Sequence, residues 1–168
     1  MVFTARWCRS ILPLLILALP SILFSQTKFT SPAALAQRSE VVAIAKVTSL
    51  IPEWNSSRSS IQTRVHLSVA EYLKGSGDGS SLTLVVPGGE IDGVGEVYSE
   101  MPRFRENEEV FVFAKKDARG LLRVSGGSQG KYTIQKNELT GKLSVAGETS
   151  VDEFSATIRT ALQAQTVK

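Results

Sequence analysis

Val41-Val42-Ala43-Ile44-Ala45-Lys46-Val47 is a run of β-branched and small apolar residues that is apolar on both of its alternating faces. Such a run fits a central strand covered on two sides. Arg64-Val65-His66-Leu67-Ser68-Val69 differs, with apolar residues at odd positions and polar ones at even. That is a half-buried strand, which reads as extending from Ile61 to about Tyr72. Leu82-Thr83-Leu84-Val85-Val86 and Val110-Phe111-Val112-Phe113-Ala114 are further strands, and Phe111 and Phe113 share one face, taken as inward. Shorter strands are predicted at Val94–Tyr98, Leu121–Val124, Tyr132–Ile134 and Leu143–Val145. Pro52, Pro87-Gly88-Gly89 and Gly126-Gly127 read as strand stops, and Asn55–Ser60 and Lys74–Ser80 as polar turns.

At either end the period changes. Ser31 or Thr30 caps a short Ala-rich helix with Pro32 at its first position. Ser150 and Glu153 form a capping box, and Val151, Phe154, Ile158 and Leu162 follow at helical spacing. This predicts an amphipathic helix over 150–165, docked on the β core. Many short strands without βαβ alternation indicate an antiparallel barrel or sandwich.

The first 25 residues describe an address. Arg6 and Arg9 precede Ile11–Phe24, which is mostly apolar, and no acidic residue stands before Glu40. A basic start, an apolar run of this length and the small residue Ser25 make a secretory signal peptide over residues 1–25. The mature chain then begins at Gln26, and 26–168 is a single domain. The alternative is a membrane anchor through residues 11–24, but a spanning helix needs about 20 apolar residues, and this run carries Pro13 and Pro20.

Export sets the remaining chemistry. The single cysteine, Cys8, leaves with the signal, so the secreted or periplasmic protein is disulfide-free and holds together by its core. Removing Arg6 and Arg9 leaves 17 of 19 basic residues against 16 acidic ones. That near-balance, with no Lys/Arg cluster, speaks against nucleic acid. His66 is the only histidine, which excludes zinc sites built on two imidazoles. It falls on the polar face of its strand and reads as a solvated side chain.

Three motifs have plainer readings. Gly126-Gly127-Ser128-Gln129-Gly130 matches the G-x-S-x-G of a serine-hydrolase elbow, but a strand follows where that elbow needs a helix. Glu90, Asp92 and Glu96 around Gly93 lack the oxygen ligand that a calcium loop requires at Val94. Glu106-Asn107-Glu108-Glu109 reads as a solvated connection rather than as paired catalytic carboxylates. No catalytic residue, cofactor or metal ligand is therefore assigned. The best functional candidate is the long segment from Gly88 to Arg105, since long loops in compact domains are usually functional or disordered. It carries Tyr98, Met101, Arg103 and Arg105, with Trp54 as a neighbour; Tyr, Trp, Met and Arg are enriched in interface cores.

Three segments carry a resemblance: Ser39–Val47, Val69–Gly75 and Phe104–Ala114. They are similar to the "V-x-G-x-V", "V-x-x-V-x-K-G" and "F-x-x-G-E-x-Y-L-V-F" motifs of netrin-like modules and tissue inhibitors of metalloproteinases. The chain also looks like a group of uncharacterised bacterial exported proteins with the same order of elements. The resemblance spans about Arg38 to Ile134 and implies a five-stranded OB-type barrel with helices alongside. The inhibitors' N-terminal zinc-chelating cysteine has no counterpart in the mature chain, and Asn107 stands where those families have Gly. Their site residues therefore do not transfer. The expectation is a mainly β, OB-like antiparallel barrel with a short N-terminal and an amphipathic C-terminal helix. Its expected function is an exported, non-enzymatic binding module for a protein or envelope component. The alternatives are a loop-based protease inhibitor or an enzyme of another type.

Overall fold

The computed structural model describes residues 29–77, 79–147 and 149–166. The basic–apolar run read as a leader, the cleavage point expected after Ser25, and Cys8 lie outside them. Helix α1 (Pro32–Arg38) starts as its sequence requires: Ser31 Oγ accepts the Ala34 N–H at 3.3 Å, and Pro32 stands in the first turn. Ten strands follow in chain order: β1 (Val41–Trp54), β2 (Ile61–Lys74), β3 (Ser81–Pro87), β4 (Gly89–Ile91), β5 (Val94–Glu96), β6 (Glu109–Lys116), β7 (Leu122–Val124), β8 (Lys131–Lys136), β9 (Leu143–Val145) and β10 (Thr149–Ser150). Helix α2 (Val151–Thr166) closes the chain, with Ser150 Oγ accepting the Glu153 N–H at 3.2 Å.

The described residues are thus mainly β, with one large antiparallel sheet and two helices. The sheet runs β10-β9-β8-β6-β1-β2-β3, with β7 also pairing β6, while β4 and β5 form a separate hairpin. Its two ends approach: Arg123 Nη1 of β7 donates to Val85 O of β3 at 3.3 Å. No ladder joins β3 to β7 among the described residues, so the sheet curls without a demonstrated closure.

The two-faced run at 41–47 is explained by two cores. Val41, Ala43, Ala45 and Val47 pack with Val65, Leu67, Leu84, Val110 and Val112 inside the curl. Val42 packs the other way, beneath both helices, with Leu35, Phe111, Phe113, Phe154 and Ile158. Phe111 and Phe113 are fully buried, but they face the helices, and the Val110–Val112 face points into the curl. Phe111 meets Phe154 edge-on at 4.8 Å and Phe113 meets Tyr132 at 5.8 Å, both geometries that aromatic quadrupoles favour.

Pro52 does not end β1, which continues to Trp54 in register with β2 (Pro52 opposite Thr63). Asn55 N–H donates to Ser60 O, so hydrogen-bonded pairs fall at odd positions of this stretch and Pro52 sits in a non-hydrogen-bonded pair. Its missing N–H would point away from β2. β6 pairs only Val41–Lys46, so among the described residues no strand is hydrogen-bonded to β1 at Pro52 on that side to need it.

Candidate functional site

The chain between β3 and β6 builds one wall of a groove. Pro87 leads into Gly88 and Gly89, with φ of 95° and 144°. A Cβ on Gly89 would lie 2.6 Å from Thr63 Oγ1 and 3.2 Å from Pro52 Cβ, so only glycine lets the backbone lie this close to the β1–β2 hairpin. Thr63 Oγ1 donates to Gly88 O at 2.7 Å, and Gly88 N–H to Ile61 O at 2.8 Å. The chain then forms the β4–β5 hairpin. Asp92 and Gly93, with φ of 50° and 79°, occupy its two-residue turn. Positive φ at both positions marks the type I′ turn that Asp-Gly favours, which accounts for Asp92 and Gly93 without an ion.

Beyond β5 the chain runs without regular structure from Val97 to Glu108. Between it and the β1–β2–β3 sheet lies a groove of about 470 Å³. Its floor is Leu50, Val65 and Val86, and its outer wall includes Val97, Tyr98, Met101 and Phe104. Tyr98 is 45% exposed and its hydroxyl donates to Glu96 Oε2 at 3.1 Å. That carboxylate holds the phenol above its ordinary pKa, by the hydrogen bond first and by charge second. Arg103 stands in the lining and is exposed, without an acidic partner for its guanidinium among the described residues.

Of the sequence candidates, Tyr98, Met101 and Arg103 come together at this groove, while Trp54 and Arg105 do not line it. Trp54 ends β1 at the tip of the long hairpin, 39% exposed. Arg105 is exposed, and its backbone N–H donates to Glu108 Oε1 at 2.7 Å.

The wall is pinned from behind by Lys131, which sequence reasoning passed over, and by Glu108, which it placed in a solvated connection. Glu108 is not a solvated turn acid. Its side chain is 13% exposed and pairs, at 2.6 Å, with Lys131 Nζ, itself 10% exposed. Lys131 also donates to Arg103 O and lies over the Phe104 ring at 4.9 Å from the centroid. The Gly126–Gly130 segment supports the same wall. Its Gly127–Gly130 part is a 3₁₀ turn, and Ser128 N–H donates to Glu100 O at 2.7 Å. A Cβ on Gly127, where φ is 58°, would lie 2.4 Å from that oxygen. The G-x-S-x-G spelling therefore marks a cradle for a carbonyl. His66 lies on the outer face of β2, where its Nδ1 is 3.0 Å from Thr83 Oγ1.

Among the described residues, no three His, Cys, Asp or Glu side chains converge as a metal site would require, and no helix is long and apolar enough to cross a membrane. No protein-family model and no curated protein matches the chain.

Proposed function

We propose that the chain is an exported, non-enzymatic binding module, and that the groove between β1–β3 and the Val97–Phe104 wall receives an apolar part of its ligand. The observation that carries this is a predominantly apolar groove of about 470 Å³, a size within the usual range for small-ligand sites. It lies on a rigid sheet and is walled by a long loop bearing Tyr98 and Met101, a common arrangement for binding. The reading of the leader as a secretion signal supports export.

The OB-like, netrin-like reading is part of the same proposal. Two observations support it. The approach of β3 to β7 through Arg123 and Val85 would complete a five-stranded ring β1-β2-β3-β7-β6. Asn107, standing where the resembling families have Gly, has φ of 66°, a left-handed conformation that Asn tolerates better than most residues. A protease inhibitor acting through an N-terminal cysteine finds no such residue in the mature chain. Against the hydrolase reading stands the context of Ser128, whose 3₁₀ turn is followed by strand β8 where a nucleophile elbow needs a helix.

The test is capture of binding partners from culture medium or periplasm on immobilised protein. Tyr98→Ala with Arg103→Ala should abolish capture and leave the melting temperature within a few degrees of wild type. Capture equal to wild type by that double variant would move the site elsewhere.

A further inference from the structure

The groove's outer wall lacks regular secondary structure from Val97 to Phe104, yet two of its carbonyls are held from the same neighbouring segment. Glu100 O takes the Ser128 N–H, and Arg103 O takes the ammonium of Lys131. Lys131 is also bound to Glu108 Oε1 and covers the Phe104 ring that faces the groove. Glu108 in turn accepts the Arg105 N–H and lies 3.5 Å from Thr133 Oγ1. One enclosed ammonium thus joins strand β8, the base of β6 and three successive residues, Arg103, Phe104 and Arg105.

An ion pair this enclosed adds little net stability, because desolvating both charges offsets most of their attraction. What it supplies is direction. Lys carries three donors on one atom, and here they serve a carboxylate and a backbone carbonyl that no apolar residue could hold. We propose that Lys131 is the positioning residue of the groove: it fixes the Val97–Phe104 wall in its open shape, so that the groove exists before any ligand arrives. Its effect on binding rests on the reading of the groove as the binding site; its effect on the wall does not.

Two amides report the wall without touching Lys131. Met101 N–H donates to Tyr98 O at 3.2 Å within it, and Ser128 N–H donates across to Glu100 O. Hydrogen–deuterium exchange at both is measured for wild type, Lys131→Met, and Lys131→Met with Glu108→Gln. The single variant leaves a carboxylate enclosed without its partner and is expected to lose stability. The double variant removes that stranded charge and should recover most of the melting temperature. In the double variant both amides should exchange about ten-fold faster or more, with β1 and β6 amides unchanged, as for local opening. Binding of 8-anilino-1-naphthalenesulfonate should weaken in parallel, by about ten-fold, the cost of a binding-competent shape that is only fractionally populated. Wild-type exchange at Met101 and Ser128 in the double variant would overturn the proposal. Failure of the dye to bind wild type would instead count against the groove as a site, and exchange would still judge Lys131.

Discussion

Replacing Phe111 by Ala tests the two-core architecture most sharply. Phe111 is fully buried on the helix-facing side of β6 and meets Phe154 of α2 edge-on at 4.8 Å. Deleting a buried Phe side chain costs about 3–5 kcal/mol, part from lost transfer energy and part from the cavity left. The aromatic contact is worth about 0.5–1.5 kcal/mol of this beyond area. Strand β6 is the shared element of both cores and is flanked by β1 and β8, so it has little freedom to collapse into the void. That places the loss near the upper end, about 4–5 kcal/mol. Unfolding gains about 2.1 cal/mol/K of entropy per residue at the midpoint, so for a domain of about 140 residues the melting temperature should fall by about 13–17 °C. Equilibrium urea denaturation followed by circular dichroism gives the free energy. A cycle with Phe154→Ala gives the pair term, expected at about 0.5–1.5 kcal/mol. A loss under about 1 kcal/mol would refute the burial of this face under α2, because no compensating collapse is available to hide a lost phenyl ring.

Other outcomes follow from single contacts. Gly127→Ala should destabilise by about 1–3 kcal/mol, the usual scale of strain at an unfavourable backbone angle, and thermal melting checks it. His66→Ala and Ser128→Ala should each change stability by no more than about 0.5 kcal/mol; fluorophosphonate labelling that Ser128→Ala abolishes would revive the hydrolase reading. Asp117 carries a signed pH dependence. Partial burial pulls its pKa up, but the N–H groups of Leu121 and Arg119 and the Arg123 guanidinium outweigh this and hold it below the ordinary 3.8. Its contribution is therefore complete above that ordinary value and is lost as pH falls through the lowered one. Carboxyl chemical shifts followed through an acid titration should show Asp117 titrating below 3.8, and Arg123→Ala should move it upward.

Much of the sheet was legible because periodicity reports burial directly. Val65, Leu67 and Val69 alternate into one core, and the two-faced run at Val41–Val47 announced a strand covered on both sides. The caps at Ser31 and Ser150 were legible because each is a local contact. What was not legible depended on distance in the chain. Pro52 reads as a stop, and only the absence of a paired strand on its free side shows why β1 passes through it. Lys131 and Glu108 are charged residues in polar surroundings, so composition assigns both to solvent; their pairing joins residues 23 positions apart. Tyr98, Met101 and Arg103 were singled out because their own loop is unusual, and the fold places them along one groove. The floor beneath them was not, since Leu50, Val65 and Val86 read as ordinary core residues and only the fold places them under that loop. Trp54 was drawn in by residue type, and the longer β1 carries it past the groove.

The central claim is that the groove is where this protein binds. The most direct test is a titration of the ¹⁵N-labelled protein with 8-anilino-1-naphthalenesulfonate, read as amide shift changes residue by residue. The account predicts saturable changes at Leu50, Val65, Val86, Tyr98 to Met101, Arg103 and Phe104, lost when Met101 is replaced by Asp. Changes centred on α1 and α2, or none at the groove at saturating dye, would contradict it.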